Sequence, residues 1–251
     1  MGKRYSVLTY IIGSYEIVHE ISEKDDDAEY ILVTDNPNLK SETWDVIYEE
    51  KGKRTDFDMV LDIRFHPFRY VNTPIVVRID GSIGILKSLK PIIDKFEEGV
   101  YDRCLMIHPE RNRVQQEYNA WIAFRGYPQE QAIRCMKLMR IFGYDPNKKG
   151  LIQACFEIVM DKSINTLIND LSFGFNMIIG SEGKMERLDQ TITSFVLQKY
   201  FKELKVLPVS ERIITDGNYL QWYIHGTNKP IPLKQNIITP YLFNEEINTW
   251  V

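Results

Sequence analysis

Cysteine is scarce in this chain: Cys104, Cys135 and Cys155 are odd in number and share no Cys-x-x-Cys spacing. That argues against a disulfide framework and against a zinc–thiolate centre, and it leads us to expect a reducing, cytoplasmic setting. Histidine is nearly as rare, with His19, His66, His108 and His225 alone, so each can be weighed singly. No run approaches the roughly 18 uninterrupted apolar residues that a membrane-spanning helix needs. The start, Met1-Gly2-Lys3-Arg4-Tyr5, lacks the long apolar stretch and small-residue cleavage site of a signal peptide. Positive charge is in deficit, 31 Lys and Arg against 35 Asp and Glu, which disfavours a nucleic-acid partner. Also missing are the Gly-x-Gly-x-x-Gly, P-loop, zincin and Gly-x-Ser-x-Gly signatures, so the common dinucleotide, nucleotide-triphosphate, metalloprotease and hydrolase readings lack their motif.

What is present is a chain of 251 residues, 44% hydrophobic and 26% charged, long enough for a substantial core. The first third alternates β-rich runs with polar breaks. Tyr5 to Ile12, Glu29 to Val33, Trp44 to Tyr48 and Pro74 to Ile79 read as strands, the third as an edge strand and the fourth as buried on both faces. The middle is more helical. A short strand at Cys104 to Ile107 precedes Val114, Tyr118, Trp121 and Ile122 at helical spacing, and Gln129 to Phe142 repeats that spacing. Leu188, Ile192, Phe195 and Val196 mark another amphipathic helix with Asp189 in its first turn. The tail from Leu207 shows no clear period. No repeat or linker divides the chain, so an α/β fold in one domain, residues 1–251, is expected.

Four constellations carry candidate chemistry. Asp80 ends a buried strand and is followed at once by Gly81 and Ser82, where a metal or a ligand hydroxyl can approach the backbone; the plain alternative is a turn. In His225 to Pro230 (HGTNKP) an imidazole stands four residues ahead of an ammonium, which suits a metal and a diphosphate; the alternative is a solvated loop. Arg187-Leu188-Asp189-Gln190 offers a carboxylate and an amide to sugar hydroxyls, or merely an acidic helix start. His108-Pro109-Glu110-Arg111 follows a strand, and a buried histidine bonded to the backbone is its bland reading.

Taken in order, the segments YIIGSYE, YILVTDN, SETWDV, RFHPFRY, VVRIDGSIGI, MIHPERNRVQQE and RLDQTITSF are similar to a family of glycosyltransferases. That family includes plant turgor-regulation and mucilage-related proteins and many bacterial surface-polysaccharide proteins. The resemblance spans roughly residues 5–200. It implies a GT-A fold with a mixed central sheet, a Rossmann-like nucleotide-binding half (about 1–105) merged with an acceptor half (about 106–251). It further implies transfer of a sugar from a nucleotide-diphosphate donor, most simply a UDP-sugar, to a glycan or glycolipid acceptor in surface polysaccharide synthesis. HGTNKP also resembles the His/Lys loop of glycogenin-like transferases.

On that resemblance Mn²⁺ or Mg²⁺ would be held by Asp80 and His225, and Lys229 would meet the diphosphate. Thr9, Tyr10, Tyr15 and Asp35 would form the base and ribose pocket, with Tyr15 stacking on uracil. Arg64 would lie over the donor, and Asp189 with Gln190 would face the reacting centre. Two departures stand out. Asp80-Gly81-Ser82 replaces the usual Asp-x-Asp, and Gly226 follows His225 directly. The missing second Asp motivates a second reading, a transferase-like protein that binds a nucleotide sugar or glycan without turnover. Peripheral membrane contact, oligomeric state and stereochemical outcome stay open at this level.

Overall fold

The computed structural model describes residues 2–181, 189–209 and 219–231. Four parallel strands, β1 (Tyr5–Ile11), β2 (Ala28–Thr34), β3 (Asp45–Tyr48) and β4 (Ile75–Ile79), form one half of a seven-stranded sheet in the order β3-β2-β1-β4. Beyond β4 the sheet turns mixed. Strand β7 (Ile152–Met160) runs antiparallel to both β4 and β6 (Arg103–Ile107), and β8 (Val206–Val209) is parallel to β6 at the far edge. Strands β5 (Ile83–Ile85) and β9 (Leu220–Trp222) pair separately as a two-stranded sheet. Six helices complete an α/β fold: α1 (Asp56–Phe65), α2 (Lys90–Glu98), α3 (Val114–Arg125), α4 (Gln129–Ile141), α5 (Ser163–Ser181) and α6 (Asp189–Tyr200).

The alternation of side chains along each strand decides the two faces. Tyr5, Val7 and Ile11 of β1 and Val77 and Ile79 of β4 pack with Ile93 and Phe96 of α2 and with Ile83, Ile85 and Leu220 of the small sheet. Leu8, Tyr10 and Ile12, with Val76, face Met59 and Ile63 of α1. A capping box starts α1: the Thr55 side chain accepts from Asp58 N, and Asp58 accepts from Thr55 N. Helices α3, α4 and α6 share a second core built on Tyr118, Met136, Met139 and Phe195.

All five expected strands and all three expected helices form, with ends shifted by a residue or two. Strand β7 was not expected. Its alternation is broken by Glu157, a charge at the middle of a buried strand, and the reason lies across the sheet. Glu157 carries the Arg78 guanidinium on one side and that of Arg103 on the other, all three side chains nearly closed to solvent. Arg103 also donates to Asn169 Oδ1 on α5 at 2.9 Å, and Arg78 donates to the Arg64 carbonyl. Burial, with the charges of Arg64 and Arg103, pushes Arg78 well down, and burial with Arg64 pushes Arg103 down to about 9. Glu157 is the counter-charge these two arginines share.

Candidate ligand site at the ends of strands one and four

Strand order reverses between β1 and β4, because β2 and β3 lie on one side of β1 and β4 on the other. In open α/β sheets the crevice at such a reversal, beyond the carboxyl ends of the strands, is where ligands bind. Asp80 stands there. Its backbone N–H donates to Cys155 O at 3.0 Å, and its carbonyl accepts from Ile83 N at 3.0 Å, so Asp80 to Ser82 is indeed a turn, from β4 into β5. It is also more than a turn. A Cβ at Gly81 would stand 2.7 Å from the backbone oxygen of Tyr10, so only glycine lets the ends of β1 and β4 approach this closely.

Around Asp80 the structure gathers three of the residues singled out from sequence. Tyr10, itself buried, donates its hydroxyl to Asp80 Oδ1 at 3.3 Å. Arg64, in the last turn of α1 and buried, places Nη1 at 3.9 Å from the same oxygen and pairs closely with Asp189 at the start of α6. A second Arg64 nitrogen donates to the Ala154 carbonyl of β7. Burial lowers the Arg64 pKa, but Asp189, Tyr10 and Asp80 together outweigh it and hold it above its ordinary value. Burial pushes the Asp80 carboxyl up, and Asp189 adds to this while Arg64 and Arg78 oppose it. Its side chain is 35% open, so water tempers that shift. The residues seen from sequence thus form one charged group, Asp80–Arg64–Asp189, contributed by three different elements.

Asp189 uses both oxygens, one toward Arg64 and one accepting from Gln190 N at 2.8 Å. Gln190 turns inward: its amide donates to Glu117 Oε1 at 3.1 Å and its oxygen accepts from Ala154 N at 3.4 Å. Glu117 in turn takes the Arg111 side chain and faces His108 Nε2 at 3.6 Å. His108 Nδ1 accepts from the backbone N–H groups of Glu110 and Arg111 at 3.2 and 3.1 Å. The bland reading of His108 therefore holds. Gln190 is a bracing residue tied to that network. Arg187 and Leu188 lie outside the described residues.

Burial, with the Arg111 charge, pushes the His108 imidazole down to about 4. The unfolded chain takes up that proton near pH 6.5. Stability is therefore full above pH 6.5 and falls as pH drops toward 4, by about 3 kcal/mol at most. His19, whose pKa is also lowered, chiefly by burial, adds to the same slope. Denaturant melts at pH 7 and pH 5 should show less acid loss in His108→Asn, whose side-chain oxygen can still accept from the two N–H groups. An unchanged slope would remove His108 as its source.

The remaining candidates divide. Tyr15 is exposed, and its ring lies 5.9 Å from that of His225. Asp35 accepts from Gly13 N at 2.9 Å and stabilises the left-handed turn at Gly13 and Ser14 that ends β1. Thr9 points into the sheet interior, and its hydroxyl has no hydrogen-bond partner among the described residues. Lys229 is exposed in a turn closed by Ile224 N to Lys229 O at 2.9 Å. No hydrogen bond or ion pair joins His225 or Lys229 to Asp80 among the described residues. Nor does any group of three or more His, Cys, Asp or Glu there form a metal cage.

One residue was missed from sequence. Glu16, whose side chain is fully enclosed, takes His225 Nδ1 on one oxygen and Gly226 N on the other at 2.8 Å. It rests beside Gly81, so it ties the late loop to the Asp80 turn. The segment YIIGSYE contained it, but nothing local distinguishes a buried Glu from a solvated one across 209 positions.

These contacts define an α/β protein with a charged group of side chains at a sheet reversal. Compared with known proteins, the chain matches no family model and no curated sequence. Among the described residues no helix is long and apolar enough to cross a membrane.

Proposed function

We propose that this protein is a glycosyltransferase of GT-A type that moves a sugar from a UDP-linked donor to a glycan or glycolipid acceptor, in the cytoplasm. The observation that carries the reading is the Asp80–Arg64–Asp189 group at the sheet reversal, with Glu16 tying the His225 loop to the adjoining Gly81 turn. Two carboxylates around one buried guanidinium leave one net negative charge, which suits a divalent cation and, through it, a donor whose diphosphate gathers negative charge as it leaves. Tyr15 offers a ring to the base. Arg64 is braced by Ala154 and Asp189 and so needs no reorganisation when charge develops nearby.

A divalent cation would be held by Asp80 and His225 only jointly with donor phosphates, since the described side chains alone form no cage for one. Asp80 keeps oxygen surface toward solvent, and His225, its Nδ1 engaged by Glu16, leaves Nε2 on a ring that is 56% exposed. A carboxylate behind a histidine is the usual brace for a metal-ligating ring. Bound there, Mn²⁺ or Mg²⁺ would offset charge on the leaving diphosphate, and Lys229 at the far end of the loop would add to that.

Calorimetric titration with UDP tests this. Affinity should rise at least about tenfold when Mn²⁺ replaces EDTA, and Asp80→Ala should remove that gain. Equal affinity in EDTA would dismiss the cation site. A second reading, binding without turnover, draws on Ser82 standing where a second carboxylate is usual and on both Asp189 oxygens being engaged. Slow UDP release from a panel of UDP-sugars favours the transferase. A nucleotide that binds but never turns over with any donor favours the binding protein.

A further inference from the structure

The helix pair α3–α4 with its flanking loops differs in charge from the rest of the chain. Residues 110–149 hold eight Lys or Arg and four Asp or Glu, a local excess of four positive charges in a chain whose net charge is −4. Helix α4 is divided along its length. Ala132, Cys135, Met136 and Met139 are buried against the α3 and α6 core. At about 100° per residue, Glu130, Ile133, Arg134, Lys137, Arg140 and Ile141 fall on the opposite stripe, and all are exposed. Three cations, two isoleucines and a single anion share that stripe.

The apolar members are large and open. Ile141 is 79% exposed, and Phe124, near the end of α3, is 86% exposed. Phe142, the residue just past α4, lies off that stripe and packs on Phe175 of α5, with ring centroids 4.9 Å apart, while remaining partly open. Cations alone would suit a polyanion, but a phosphate backbone gives Phe124 and Ile141 nothing to enter. An anionic bilayer accommodates both kinds of side chain: apolar groups enter the acyl boundary, while Lys and Arg extend to the phosphates.

We propose that the exposed face of the α3–α4 pair docks on an anionic membrane surface. The proposal stands on charge and exposure and is independent of the transferase reading, although a membrane-borne acceptor would suit both.

The test is co-sedimentation of the whole protein with vesicles of phosphatidylcholine, alone or with about one-third phosphatidylglycerol. Binding to the anionic vesicles should be at least about tenfold tighter, and should weaken in about 1 M salt, where screening leaves only a few ångströms of reach. Two double variants probe the two contributions: Phe124→Ser with Ile141→Ser, and Lys137→Glu with Arg140→Glu. All four positions are exposed, so thermal melting should match the parent while vesicle affinity falls about tenfold in each. Absent binding, equal binding to neutral vesicles, or parent-like binding by both variants would overturn the proposal. So would self-association in solution that the serine variant abolishes in the absence of any vesicle binding, since the face would then join two copies of the chain.

Discussion

Glu157→Gln is expected to cost this protein about 3–5 kcal/mol, a large share of the 5–15 kcal/mol that holds a typical domain together. The glutamine keeps the volume of the glutamate but leaves Arg78 and Arg103, both closed to solvent, without their shared carboxylate. Two buried guanidiniums cannot escape by losing a proton at neutral pH, so the strain falls on the fold. Thermal melting should fall by about 10 °C or more. Replacing all three residues by apolar ones of similar size should recover much of the loss, because a buried ion pair is costly to break and cheap to omit. A shift of only a degree or two in the Gln variant would mean that water or the Asn169 amide already satisfies these arginines.

The second large effect concerns turnover. Under the transferase reading, Asp189→Asn should lower donor consumption by about two orders of magnitude or more, the scale of a lost acid, base or charge-stabilising group. UDP affinity should survive. The sequence offered a simpler alternative, that Asp189 only starts its helix, in which case Asn would be neutral in every assay. Pairing with Arg64 changes that comparison. Asn can still accept from Arg64, but the charge opposite a buried guanidinium is gone, so a loss of about 1–3 kcal/mol in stability is expected as well. Assays must therefore run well below the melting range. Parent-like turnover in a folded Asn variant would take Asp189 off the list of reacting groups and leave it a structural partner of Arg64.

Sequence alone reached the site by its residue types, and reached its assembly only in part. Asp80 and Asp189 were chosen for a local reason, a strand end and a helix start, and Arg64 on the family resemblance. That they form one group follows from three elements converging at the sheet reversal. Thr9 was chosen for its place near the end of β1, and the pleat turns it into the interior, while its neighbour Tyr10 faces Asp80. The period of two decides such pairs, and a shift of one residue exchanges them. Glu16 gave no signal because its burial is created by the His225 loop, which is remote in sequence.

The strands β1 to β4, the strand β6 and the helices α3, α4 and α6 were determined by the chain itself, since apolar periods of two and of 3.6 are written in consecutive residues. The edges of these elements followed from Gly, Pro and Asx punctuation, which acts over one or two bonds. Strand β7 was decided by tertiary structure. Its central glutamate is tolerable only where Arg78 and Arg103 meet it, and those residues come from strands on either side of it. The same holds for the small sheet of β5 and β9, whose short strands carry little local preference and exist because each supplies the other's backbone partners. Local pattern fixes which face of an element is apolar. Only packing decides which distant charge is brought against which, because the cost of burying a charge depends wholly on the partner it meets there.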